Sequence, residues 1–180
     1  MTEPRVTLLL SEMDATYSRL RRRLEGLTDG EFYWEPVPGC WTIFKDDSGR
    51  WTYHYEIPDP DPAPVTTIGW QLIHLATCKV MYHEWAFGAA RLTFPQLVIP
   101  NTAAGAIAML GNGQSTLRIT LESLSDSQLD AQVKTNWGEM WPAWRIFWAM
   151  ADHDAFHGGA IGHLRDLYHW SARFSSAAPP

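Results

Sequence analysis

From Ile68 to Phe87 the chain reads IGWQLIHLATCKVMYHEWAF, preceded by Thr66 and Thr67, either of which can cap a helix. On a helix of this sequence Ile68, Leu72, Ile73, Leu75, Ala76 and Val80 cover the sides away from His74, while Trp70, Cys78, Met81 and Trp85 share its face. A helix that is apolar on all sides is stable only in the middle of a domain. The rest of the chain must therefore supply elements that surround it, and His74 is a core histidine.

Three further stretches meet that need. Val6, Leu9 or Leu10, Met13, Tyr17, Leu20, Leu24 and Leu27 recur at spacings of three and four, with Arg21, Arg22 and Arg23 on what reads as the solvated face of a long amphipathic helix. Asn101 or Thr102 starts a third helix through Ile107, Leu110, Leu117, Leu121 and Leu124, in which Gly105, Gly111 and Gly113 predict a bend or an interruption. A fourth has Pro142 in its first turn and runs to about Trp170. Ile146, Met150, Ile161, Leu164 and Tyr168 fall on one stripe of it, together with His153 and His157. Gly158 and Gly159 beside this pair predict close approach of another backbone.

These four predict an all-α four-helix bundle over residues 1–170, followed by a disordered tail at 171–180. The connections are long. Residues 35–64 carry Pro36, Pro38, Pro58, Pro60, Pro62 and Pro64, which exclude regular helix, but Trp51 to Glu56 alternates as a strand does after a turn at Asp46 to Gly49. A small β-hairpin inside a lid-like loop is the expectation. Val133 to Glu139 reads as a short extended or turn segment. The first and third helices end alike: Glu25-Gly26-Leu27-Thr28-Asp29-Gly30-Glu31-Phe32 and Glu122-Ser123-Leu124-Ser125-Asp126-Ser127-Gln128-Leu129 each place a capping box before a short helix. Either local capping chemistry or internal pseudo-symmetry produces such a repeat.

Composition narrows the function. With a net charge of −6 and basic residues scattered outside the arginine run, no nucleic-acid partner is expected. No apolar run is long enough to span a bilayer and Met1 to Arg5 lacks the pattern of a signal peptide, which predicts no membrane partner and a cytoplasmic location. Cys40 and Cys78 form no disulfide framework or CxxC and read as reduced thiols. Four of the ten tryptophans cluster at Trp137, Trp141, Trp144 and Trp148, where they either fill core and interface or line a pocket near the histidines.

Two imidazoles four residues apart point at one object, and burying them is costly unless something binds them. A third on a neighbouring core helix completes a set, His74, His153 and His157, suited to a divalent metal with an open coordination position. His83 projects from the opposite side and His54 lies in the loop, so neither is a good ligand candidate. Asp152 and Asp154 are either acceptors for a ligand's N–H or solvated charges. Cys78, one turn from His74, is either a soft ligand or a plain buried thiol, and Arg165 holds either a carboxylate of a ligand or an ordinary salt bridge.

The chain resembles the DinB/YfiT-like family over nearly its whole length. The resemblance rests on the first helix with Leu27-Thr28-Asp29 and Trp34-x-Pro36, on Gly69-Trp70-Gln71-Leu72-Ile73-His74-Leu75, and on His153-Asp154-Ala155-Phe156-His157-Gly158-Gly159-Ala160-Ile161 leading to Leu164-Arg165. It implies ligands at His74, His153 and His157. It also implies zinc or nickel and, in characterised relatives, transfer or isomerisation with a low-molecular-weight thiol, mycothiol or bacillithiol. Ala160 stands where the family commonly has glutamine, which puts any role of that amide in doubt. Metal-dependent hydrolysis, a non-catalytic metal or ligand-binding protein, and three satisfied core histidines are the competing readings. A small-molecule substrate and a homodimer complete the expectation.

Overall fold

Capping chemistry sets the ends of the helices. The computed structural model describes residues 3–58 and 60–176. Its long helices are α1 (Pro4–Leu24), α3 (Ile68–Phe87), α4 (Ala103–Glu122) and α5 (Ala143–Ser176), with a single-turn α2 (Asp29–Tyr33) after the first. Thr67 and Thr102 accept from the backbone N–H of Trp70 and Gly105 and so start α3 and α4. Around buried α3 pack α4 and α5, and α1 packs on α5 and α4. This is the expected four-helix bundle.

Thr28 and Glu31 form the expected reciprocal box at the start of α2. Ser125 and Gln128 exchange the same kind of bonds but open only a 3-10 turn, Gln128–Asp130. The aspartate that follows each cap closes the other half of the chain. Asp126 accepts from the N–H groups of Arg5 and Val6 at 3.0 Å, at the start of α1. Asp29 accepts from Ala103 N–H at 2.7 Å, at the start of α4. A carboxylate at a helix N-terminus is favourable for charge and for hydrogen bonding. The reciprocity makes the internal pseudo-symmetry structural rather than local.

The two hairpins repeat as well. Strands β1 (Ile43–Lys45) and β2 (Trp51–Tyr53) form the hairpin expected in the first loop. A second, β3 (Gln132–Lys134) with β4 (Met140–Pro142), replaces the simple turn segment expected there. In each a glycine at positive φ closes the loop, Gly49 at 80° and Gly138 at 94°. Pro142 therefore ends a strand, and the helix begins one residue later.

Two other expectations change. α4 is continuous through its glycines, because Gly113 answers to packing: a Cβ there would stand 2.9 Å from that of Lys79. Of the glycine pair on α5, Gly158 lies against Leu20 of α1, where an added Cβ would stand 3.7 Å from the Leu20 Cα, whereas a Cβ at Gly159 would meet nothing. α5 continues past Trp170 to Ser176, and residues 177–180 of the expected tail lie outside the described residues.

The apolar core divides into two clusters, one around Leu24, Phe32, Leu72 and Leu110, the other around Met13, Leu117, Phe147 and Met150. Between them lies a polar layer. Lys79, fully buried on α3, donates to Asp154 Oδ2 of α5 at 2.9 Å and to Gln114 Oε1 of α4 at 2.8 Å. Its ammonium also lies 5.9 Å from the centre of the Tyr17 ring of α1. Lys79 and Asp154 are each the twelfth residue of their helices, so the ion pair joins equivalent positions of the two halves.

Candidate metal centre

Rotation of α3 and α5 about this polar layer determines what the preceding residues face. Cys78 precedes Lys79 and His153 precedes Asp154; one residue back around each helix, both side chains turn into a common space near His74. The donor atoms of His74, Cys78 and His153 all lie within 4.8 Å of one another. His157, one turn further along α5, brings its ring centre to 4.9 Å from that of His74 and 5.4 Å from that of His153, and the His74 and His153 rings are 6.0 Å apart. Three imidazoles sharing one ion through Zn–N bonds of about 2.0 Å have ring centres about 5 Å apart. The structure thus gathers all three expected histidines, with Cys78 beside them and with His157 outside the tightest donor set.

Their hydrogen bonds separate the two nitrogens of each ring. His153 Nδ1 bonds the Ala149 carbonyl at 3.1 Å, and His157 Nδ1 bonds Gln71 Oε1. Both partners are acceptors, so each Nδ1 carries the proton and each Nε2 keeps its lone pair. His74 differs: its Nε2 stands 3.7 Å from Cys78 Sγ, and its buried Nδ1 has no partner. Stacking by Trp70, 4.9 Å away and nearly parallel, holds the His74 ring in place.

Burial, and then the neighbouring His153, pushes His74 down to about 4. Burial, then His74 and His153, pushes His157 down to about 3. Both are neutral imidazoles at physiological pH. Burial pushes the Cys78 thiol up to about 12 against the opposing pull of Lys79, so without an ion it is an unreactive thiol. These residues fit a divalent transition metal: neutral imidazoles, a soft sulfur, and a buried nitrogen lacking a partner. A hollow of about 220 Å³ bounded by Asp152, His153, Phe156 and His157 opens the site to one side.

The remaining candidates are placed elsewhere. Asp154 gives Oδ2 to Lys79 and leaves Oδ1 buried without a partner, while the Nδ1 atoms of His153 and His157 bond the Ala149 carbonyl and Gln71 instead, and Asp152 is exposed. Arg165 bonds Glu31 at 2.8 Å and the carbonyls of Arg23 and Glu25, tying α5 to the α1–α2 corner. His83 bonds Thr120 of α4 at 2.8 Å, and His54 bonds the Thr42 backbone. Gln71, Lys79 and Tyr55 are the residues the sequence reading passes over. A lysine inside an otherwise apolar helix was a signal for Lys79, because it demands a buried acid on a neighbouring stripe.

The family model of the DinB superfamily matches residues 12–161, which include all three histidines and Cys78. No curated protein matches the chain.

Proposed function

The chain belongs to the DinB superfamily, and on that premise we propose that it is a cytoplasmic metal-dependent transferase using a low-molecular-weight thiol of the mycothiol or bacillithiol type. His74, His153 and His157 would hold zinc or nickel. When bound, the ion would supply Lewis acidity able to lower the pKa of a low-molecular-weight thiol for reaction with an electrophilic small molecule. The chain's own part is to present neutral nitrogens, orient two of them through the Ala149 carbonyl and the Gln71 amide, and keep one side open. The observation that carries the reading is the buried, partnerless Nδ1 of His74 beside His153 and His157, whose Nδ1 atoms are held by oxygen acceptors. A homodimer is part of the proposal, supported by Trp148 and Phe156, which stand exposed two turns apart on α5.

Elemental analysis of the purified protein tests the metal, with His153→Ala as control: one equivalent of zinc or nickel in the wild type and none in the variant is expected. Absorption of the cobalt-substituted protein tests the thiol. A new sulfur-to-cobalt band on adding mycothiol or bacillithiol is expected, and no change with any biological thiol defeats the transferase reading.

Cys78 favours a second reading. With its sulfur as a fourth donor a tetrahedral ion would be closed, as in structural sites, and the protein would bind metal without catalysis. Cys78→Ser separates the two, since metal retention in that variant keeps the open site.

A further inference from the structure

A second, larger cavity of about 880 Å³ lies beside the metal centre, between the first hairpin, the distal half of α3, the α3–α4 connection and the turn of the second hairpin. It shares no lining residue with the histidine set but adjoins it through aromatic rings. Tyr55 lines it and stacks on His74 with ring centres 6.5 Å apart. Trp137 lines it and packs at 5.2 Å against Tyr82, whose ring is 6.2 Å from that of His153. Met81 and Trp85 extend the same face of α3 away from His74 by about 10 and about 16 Å, two and three helical turns.

The walls define the chemistry of an occupant. Ile57 is 82% exposed, Tyr55 49% and Trp137 44%, so large apolar side chains are left in water around the cavity rather than folded into the core. Contiguous exposed apolar surface of this kind marks a binding site. The charged residues of the wall satisfy each other. Asp46 accepts from Ser48 and Arg50, and the Arg50 guanidinium donates to Ser48, Asp46 and the Pro95 carbonyl. No ionic group is called for. One polar lining residue is left over: Asn136, whose buried Oδ1 has no hydrogen-bond partner and comes within reach of an occupant by a turn of the amide.

We propose that this cavity is the subsite for the acceptor substrate, and that it takes an uncharged molecule with an aromatic or polycyclic body and a hydroxyl or N–H that donates to Asn136. That the occupant is the transferase's acceptor rests on the reading in the preceding section; that the cavity binds such a molecule does not.

The test uses 2-naphthol and 2-methoxynaphthalene, which differ in the single donor, titrated calorimetrically into metal-free and zinc-loaded protein. Saturable one-to-one binding is expected in both forms, with the naphthol about tenfold tighter, the worth of one hydrogen bond to a buried acceptor. That preference should vanish in Asn136→Leu, and Ile57→Glu, at an exposed rim position, should weaken both ligands at least tenfold. In cobalt-loaded protein the naphthol ring protons should relax faster than in zinc-loaded protein, which locates the ligand beside the metal. Absence of saturable binding, equal affinities in the wild type, or indifference to both substitutions overturns the proposal. Zinc binding without naphthol binding would leave the metal reading standing and remove the subsite. Naphthol binding in a protein that takes up no metal would keep the cavity as a binding site and remove its role as an acceptor subsite.

Discussion

Two polar clusters occupy consecutive residues of the same two helices, and they differ in whether their charges are paired. Lys79 pairs with Asp154 and also donates to Gln114, while Asp154 Oδ1 and Gln114 Nε2 stay buried without a partner. Their neighbours Cys78 and His153 bring donor atoms within 4.8 Å of one another and of His74, whose Nδ1 has no partner, and the His157 ring lies beside them. The first cluster has its counter-charges supplied by the chain and holds α3 to α5. The second, on the reading proposed above, is completed by a metal ion. A buried ion pair beside a ligand set fixes helix rotation, and helix rotation decides where the ligand atoms point.

The strongest way to break that contrast is to remove one half of the ion pair. Lys79→Met leaves a buried carboxylate alone, and a loss of about 3–5 kcal/mol in urea unfolding is expected. The double change Lys79→Met with Asp154→Leu should return to near wild-type stability, because desolvation weighs against each charge by itself: burial lowers the Lys79 pKa and raises that of Asp154. Single substitutions that cost under about 1 kcal/mol would mean that the layer is not a closed buried pair.

The second cluster predicts the opposite dependence. Zinc at a hundredfold excess over its Kd should stabilise the wild type by about 2.7 kcal/mol, measured as a shift in the unfolding midpoint. The effect should disappear in His153→Ala. In the Lys79→Met, Asp154→Leu double variant it should persist but weaken, since the rotation of α3 and α5 is then held by apolar packing alone.

What was legible in the sequence follows from the range of the interactions. The long helices, the Thr28–Glu31 box, the first hairpin and the inward-facing histidines rest on contacts within a few residues or on periodicity. The second hairpin was not legible, because its strands, as short as those of the first, have no longer alternating run beside them like Trp51 to Glu56. Comparing Thr135 to Glu139 with Asp46 to Arg50 would have shown the same five-residue loop with glycine in the fourth position. Asp154 looked like an edge residue because it stands about 100° round the helix from His153. It is buried because α5 packs against both α1 and α3, which widens its covered face beyond one stripe. Gln71 could not be assigned to His157, since that contact depends on the relative rotation of two helices distant in sequence.

Gln71 sharpens the comparison at the next scale. It accepts from His157 while its own amide N–H donates to Thr66 at 2.6 Å, so its orientation is fixed before any ion binds. Gln71→Leu keeps the volume roughly but removes the acceptor. Zinc affinity should fall by about 10–100-fold, with little change in metal-free stability. An unchanged affinity, read by competition with a chromophoric chelator, would place His157 outside the ligand set and leave His74, Cys78 and His153 as the donors.

The smallest effect per step is a pH slope of the metal-free protein. His74 and His157 sit near 4 and 3 in the folded chain against 6.5 when unexposed to these surroundings. Between 6.5 and those values the unfolded chain holds protons that the folded chain refuses, so acid favours unfolding. Stability is full above pH 6.5 and falls as pH drops, by at most about 1.4 kcal/mol per unit for each histidine. His83, also lowered by burial, adds to the same window, whereas the raised Asp154 carboxyl works in the opposite sense and only as it begins to bind a proton. Comparing wild type with the Lys79→Met, Asp154→Leu variant removes that opposing contribution, so the slope should steepen in the double variant. Ring nitrogen resonances give the site-resolved check: His74 and His157 should remain neutral at pH 5.5. If either titrates near 6.5 its ring is open to water, and the distinction between a closed pair and a waiting ligand set fails at that residue.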